Sequence, residues 1–144
     1  MTLADTNASL YQTDFHAWTT ESARLLREGR YSEIDLISLA EEVESMGANT
    51  RQQLVNRLRI LLAHLLKWEY QPHLRSRSWQ ATIKEQRFSI ADLLEENPSL
   101  TSVLPERITK AYRLAVLLAC EGNQPARNNV SFFMPIFYKL NHKP

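Results

Sequence analysis

The side chains that could do chemistry fall in three groups. The first is basic: Arg75 and Arg77, with Lys84 and Arg87 about two to three turns further on, gather around the start of a predicted helix. Guanidinium and ammonium groups at a helix N-terminus, where backbone N–H groups and the helix dipole also favour negative charge, suit an anion or a phosphate backbone. The second group is Glu41, Glu42, Glu44, His64 and His73, the raw material for a divalent metal held between facing helices. The third is Glu69, which joins Glu42 and His64 as a possible acid or base.

Each group has a plainer reading. No E-x-x-H or H-E-x-x-H spacing occurs, and His64 is followed by leucines where a second ligand would stand. His64 therefore reads first as a hydrogen-bonded histidine on an apolar margin, and no metal or other cofactor is assigned. A metal-dependent enzyme using Glu41, Glu42 and His64 ranks below both binding readings. Cys120 lies in an apolar helix without a neighbouring cation, as an inert thiol does. Gly-rich phosphate loops, dinucleotide fingerprints and serine elbows are missing, so no catalytic residue is named.

The basic group, too, has a structural alternative. Projection of residues 50–70 at about 100° per residue puts Glu69 inside an apolar arc of roughly 160°, where a carboxylate needs a partner. Arg75 and Arg77 are the nearest supply. The expectation is a polar lock in which Glu69 and the acidic helix residues Glu41 and Glu42 balance Arg77, with Trp79 filling the core.

These residues need a scaffold, and the chain predicts a helical one. At 144 residues it is long enough for one domain without disulfides, and its 44% apolar and 23% charged content is ordinary for a globular protein. Three glycines and six prolines argue against a turn-rich sheet architecture. Seventeen basic and sixteen acidic residues leave a formal charge of +1, so no global field draws in nucleic acid or an anionic membrane. One cysteine, no signal-peptide pattern at the N-terminus and no long apolar run together predict a cytoplasmic protein without a membrane span.

Residues 1–13 show no apolar periodicity and read as a flexible arm. A first helix starts at Asp14, buries Phe15, Trp18, Ser22, Leu25 and Leu26, and stops at Gly29. A second, capped by Ser32 with Asp35 three residues on, carries an inward stripe of Leu36, Leu39, Val43 and Met46 and ends near Gly47. The third, about 50–70, is the long central helix, built on Leu54, Val55, Leu58, Leu61, Leu62, Leu65, Leu66 and Trp68. Ser76 or Ser78 caps a fourth, with Trp79, Ile83, Gln86, Ile90, Leu93 and Leu94 inward and Asn97-Pro98 as its stop. A fifth begins near Pro105, packs through Ile108, Ala111, Tyr112, Ala115, Leu118 and Ala119, and ends at Gly122. The fold class is all-α: a single-domain bundle of about five helices over 14–122 around helix 50–70. An irregular apolar tail, 123–144, is packed on the bundle or exchanged with a partner. Phe88, Phe132, Phe133 and Phe137 form a candidate adhesive surface.

Three blocks, LAEEVESMG at 39–47, RLRILLAHLLKWEYQPHLRSRSWQATIKEQR at 57–87 and LLEENPSL at 93–100, resemble a bacterial family known as domain of unknown function 29. The resemblance begins with YQTDFHAW and covers about residues 11–120, with the tail departing from the family's usual ending. It implies a cytoplasmic all-helical domain with no established activity and carries over no site residue. The function expected is therefore a non-catalytic interaction module that docks a protein partner or a second copy as a homodimer. Anion or nucleic-acid binding through the Arg75/Arg77 turn is the alternative.

Overall fold

A computed structural model describes residues 1–119. Five α-helices and three short 3-10 turns make up the fold, with no strand among the described residues. The α-helices are α1 (Leu3–Thr13), α2 (Phe15–Arg27), α3 (Leu36–Tyr70), α4 (Arg77–Glu96) and α5 (Leu104–Ala119). The expected all-α class holds, but the helices are not the expected five. Contacts divide the chain into two compact units, Met1–Asn49 and a second beginning at Thr50. Cys120, Gly122 and the tail with Phe132, Phe133 and Phe137 lie outside the described residues.

In the first unit, residues expected as an irregular arm form α1. Thr2 and Asp5 close a capping box: the Asp5 N–H donates to the Thr2 hydroxyl and the Thr2 N–H to the Asp5 carboxylate. Those bonds also hold the Asp5 carboxyl below its usual range. The buried residue of this helix is Asn7, a polar side chain, which is why apolar periodicity does not reveal it. α2 follows Asp14, whose carboxylate accepts from the Ala17 N–H, and ends as expected at Gly29. Gly29 has φ +71°, and the Gly29 and Arg30 N–H groups turn back to the Leu26 and Leu25 carbonyls in a Schellman cap.

The two helices expected over about 32–46 and 50–70 are one. Ser32 sits in a 3-10 turn, and Asp35 is the cap, accepting from the Ser38 backbone N–H at 3.2 Å and from the Ser38 hydroxyl. Gly47 does not stop the helix. A glycine inside a helix costs about 1 kcal/mol, less than ending one helix and nucleating another between good helix formers. The face expected to be inward is also rotated: Leu36, Val43 and Met46 are exposed, whereas Ser38 is buried and Leu39 and Glu42 are partly covered.

The second unit is built as the leucine pattern requires. Leu54, Val55, Leu58, Leu61 and Leu62 of α3 are fully covered, by Ile90 and Leu93 of α4, Leu100 of the connecting turn, and Ile108, Ala111, Tyr112 and Ala115 of α5. Alanines on α5 permit close approach of the helix backbones. The stripe finishes on Ala119, with Leu118 exposed rather than inward. Ser76 is the cap of α4, its hydroxyl accepting from the Trp79 N–H at 3.2 Å. Asn97 closes the other end by donating its side-chain amide to the Leu93 carbonyl.

Candidate functional site: a basic cleft between two helices

Along α4, Arg77, Gln80, Lys84 and Arg87 recur at three- and four-residue intervals and so share one face. Opposite them, Leu65 and Trp68 of α3 form the second wall, and Ala81 and Ile83 help floor a cleft of about 660 Å³. Three of the four cations singled out in the sequence thus line one cavity. They are exposed, and none makes a salt bridge with a described residue. The α4 stripe contains no carboxylate at the positions that would neutralise them.

Arg75 has a different task. Its Nε donates to the Trp68 carbonyl at 2.8 Å, satisfying one of the unpaired carbonyls at the end of α3, and its guanidinium carbon stands 4.9 Å from the centre of the Trp68 ring. It holds a wall of the cleft rather than lining it. Phe88, one turn beyond Lys84 on α4, is 70% exposed. Trp79 is only partly buried, and the Ser76 hydroxyl already occupies an N–H of the α4 terminus.

The expected polar lock is absent. Glu69 is exposed and makes no ion pair with a described residue. It sits one residue before the end of α3, where a side chain that projects onto the apolar arc can still reach water. Arg75, one of the two arginines meant for it, is spent on the Trp68 carbonyl and ring, and Arg77 faces the cleft. Glu42 instead accepts a hydrogen bond from the Tyr11 hydroxyl at 2.7 Å, which pushes the tyrosine up from its ordinary pKa, and Glu41 is exposed. His64 donates Nδ1–H to the Ile60 carbonyl one turn back in its own helix at 2.8 Å. Among the described residues no three of His, Cys, Asp and Glu stand close enough to hold a metal ion.

The first unit has a second cavity, about 530 Å³, lined by Leu3, Thr6, Leu10 and His16 among others. Its charges are paired. Arg30 bonds Glu33 and Glu28, and Arg24 bonds Glu21 and Glu28, holding all three glutamates below the usual carboxylate range.

Two features escaped the sequence reading. One is Asn7, 3% exposed, whose side-chain oxygen accepts from Trp18 Nε1 at 3.2 Å and from the Asp35 N–H at 3.0 Å while its amide donates to the Ser22 hydroxyl. The Thr2-x-x-Asp5 capping signature was its visible sign. The other is charge distribution. Residues 1–49 carry three basic and nine acidic side chains, a formal −6; residues 50–119 carry eleven basic and six acidic, +5. The overall +1 conceals both, and separate sums over the two halves would have exposed them.

Fold and cleft define an all-α domain with a cationic, partly apolar groove. The chain belongs to the family described as Domain of unknown function DUF29, whose model matches residues 10–137. The match runs past residue 120, where the resemblance was expected to stop, and takes in most of the aromatic tail. No curated protein and no solved structure matches the chain. No described helix is long and apolar enough to cross a membrane.

Proposed function

We propose that the protein is a non-catalytic interaction module of the bacterial cytoplasm, and that the α3–α4 cleft is its docking site for an acidic, partly apolar segment of a protein. The observation that carries this reading is the set of three cations without an ion pair among the described residues, Arg77, Lys84 and Arg87, beside Leu65, Trp68 and Ile83. Such a surface rewards a ligand that brings carboxylates for the rim and aliphatic side chains for the floor. Among the described residues the lining offers no carboxylate, histidine, hydroxyl or thiol to serve as base or nucleophile. A single cysteine in the chain supports a reducing compartment.

Nucleic acid would use the same cations but needs aromatic faces for its bases. Trp68 is the one aromatic wall of the cleft among the described residues, and the Arg75 guanidinium already lies over its ring, so a protein segment is favoured.

Fluorescence anisotropy with a labelled amphipathic helical peptide of Glu and Leu tests this. Binding is expected to weaken steeply with salt and by at least about 10-fold in an Arg77→Glu/Lys84→Glu variant, the size of effect expected when rim cations are reversed. Equal affinity of variant and wild type would remove the cleft from the reading. Tighter binding of an oligonucleotide than of the peptide would replace the protein ligand with nucleic acid.

A further inference from the structure

The cleft asks for an acidic, partly apolar helix, and the chain itself displays one. The N-terminal stretch of α3 carries Glu41 and Glu44 on the same exposed side as Ile37, with Leu36 and Val43 at its edge. Ile37 is 77% exposed, Val43 59% and Leu36 54%, a concentration of open aliphatic surface that a stable soluble helix does not need. In the single chain this face is exposed, and so are the cleft cations Arg77, Lys84 and Arg87. Their charges are opposite in sign and similar in size: the unit holding the acidic stretch is formally −6 and the described part of the unit holding the cleft is +5.

We infer that the occupant of the cleft is the acidic N-terminal half of α3 from a second copy of this chain, and that the two copies exchange these contacts about a two-fold axis. The inference rests on the docking role proposed for the cleft and names its ligand. A two-fold axis makes both contacts identical, so each copy gives one acidic helix and receives one, and the assembly closes at two instead of growing into a filament. Leu36, Ile37 and Val43 supply the apolar payload for the floor beside Leu65, Trp68 and Ile83. Glu41 and Glu44 meet the cations of α4. Glu42 stays on its own unit, bonded to Tyr11.

Two charge-reversed variants of the full chain test the pairing: Arg77→Glu/Lys84→Glu/Arg87→Glu in the cleft, and Glu41→Arg/Glu44→Arg on α3. All five positions are exposed and form no ion pair among the described residues, so helical content measured by circular dichroism should match wild type. Sedimentation equilibrium is expected to show a wild-type dimer that dissociates as salt is raised, while each variant alone shifts toward monomer by about 100-fold in dissociation constant, because like charges then face each other at both contacts. Mixed in equal amounts, the two variants are expected to form a heterodimer, since the reversed helix now meets the reversed cleft and the native helix meets the native cleft. A dimer that persists in both variants, or variants that stay monomeric when mixed, overturns the inference. A wild-type chain that is monomeric at every concentration also overturns it, and if that monomer still binds the Glu/Leu peptide through the cleft, the interaction-module reading survives with a foreign partner.

Discussion

The two units of this chain treat arginine in opposite ways. In the first, Arg24 lies between Glu21 and Glu28, and Arg30 between Glu28 and Glu33, so each guanidinium is held by two carboxylates of its own neighbourhood. In the second, Arg77, Lys84 and Arg87 share a helix face and form no ion pair among the described residues. Cohesion differs as well. The second unit is held by fully buried leucines, whereas the first closes its α1–α2 junction with a buried amide and a cluster of Tyr11, Phe15 and Trp18 rings. Local charge pairs consume interaction capacity that a binding surface must keep unspent. An apolar core, in turn, frees the surface of the second unit from any duty to hold the fold.

The largest test of this contrast is Leu58→Ala. Leu58 is wholly buried at the centre of the second unit, so the change should cost about 2–5 kcal/mol in chemical denaturation, through lost burial and a residual cavity. A cost below about 1 kcal/mol would mean that the unit is not leucine-cored.

Asn7→Ala should come next, at about 1–3 kcal/mol, because it strands the Trp18 indole N–H and the Asp35 backbone N–H inside the first unit. Hydrogen exchange would locate the loss in α1 and leave α3 residues 54–66 protected. Uniform loss of protection would contradict the separation of the two kinds of cohesion.

Acid should produce the smallest effect and confine it to the first unit. Glu21, Glu28 and Glu33 titrate lower in the folded chain than in the unfolded one, chiefly because they accept hydrogen bonds from Arg24 and Arg30. The unfolded state therefore binds protons first as pH falls. Their contribution is fully present above the ordinary glutamate pKa near ~4.3 and is lost as pH drops through the lowered folded values. These are exposed pairs, so the change is modest. A pH titration of thermal stability in an Arg24→Ala/Arg30→Ala variant should lack that step.

What could be read from the residues alone follows the same division. Leu54 through Leu66 repeat at helical spacing with no competing pattern, so the central helix and its covering partners were legible. α1 was not, because the residue it buries is Asn7 and the apolar rule looks for the wrong chemistry. The early part of α3 was misread in register. Leu36, Val43 and Met46 make a convincing stripe, but the unit covers Ser38, Leu39 and Glu42 instead, since Asp35 and Tyr11 offer them hydrogen bonds or cover. Clustering of Arg77, Lys84 and Arg87 was visible from spacing. Their freedom from Glu69 was not, because a helical projection cannot say that a side chain one residue from a helix end will turn to solvent.

The indoles have a practical consequence. Trp18 is 2% exposed, among the rings of the first unit and with its N–H bonded to Asn7, whereas Trp68 forms a wall of the cleft with a cation over its face. Their emission should therefore differ in wavelength and in response to quenchers. The third tryptophan, Trp79, is partly buried at the start of α4. With Trp79→Phe the chain would carry one tryptophan per unit, the first following loss of the Asn7 junction and the second following entry of a ligand into the cleft.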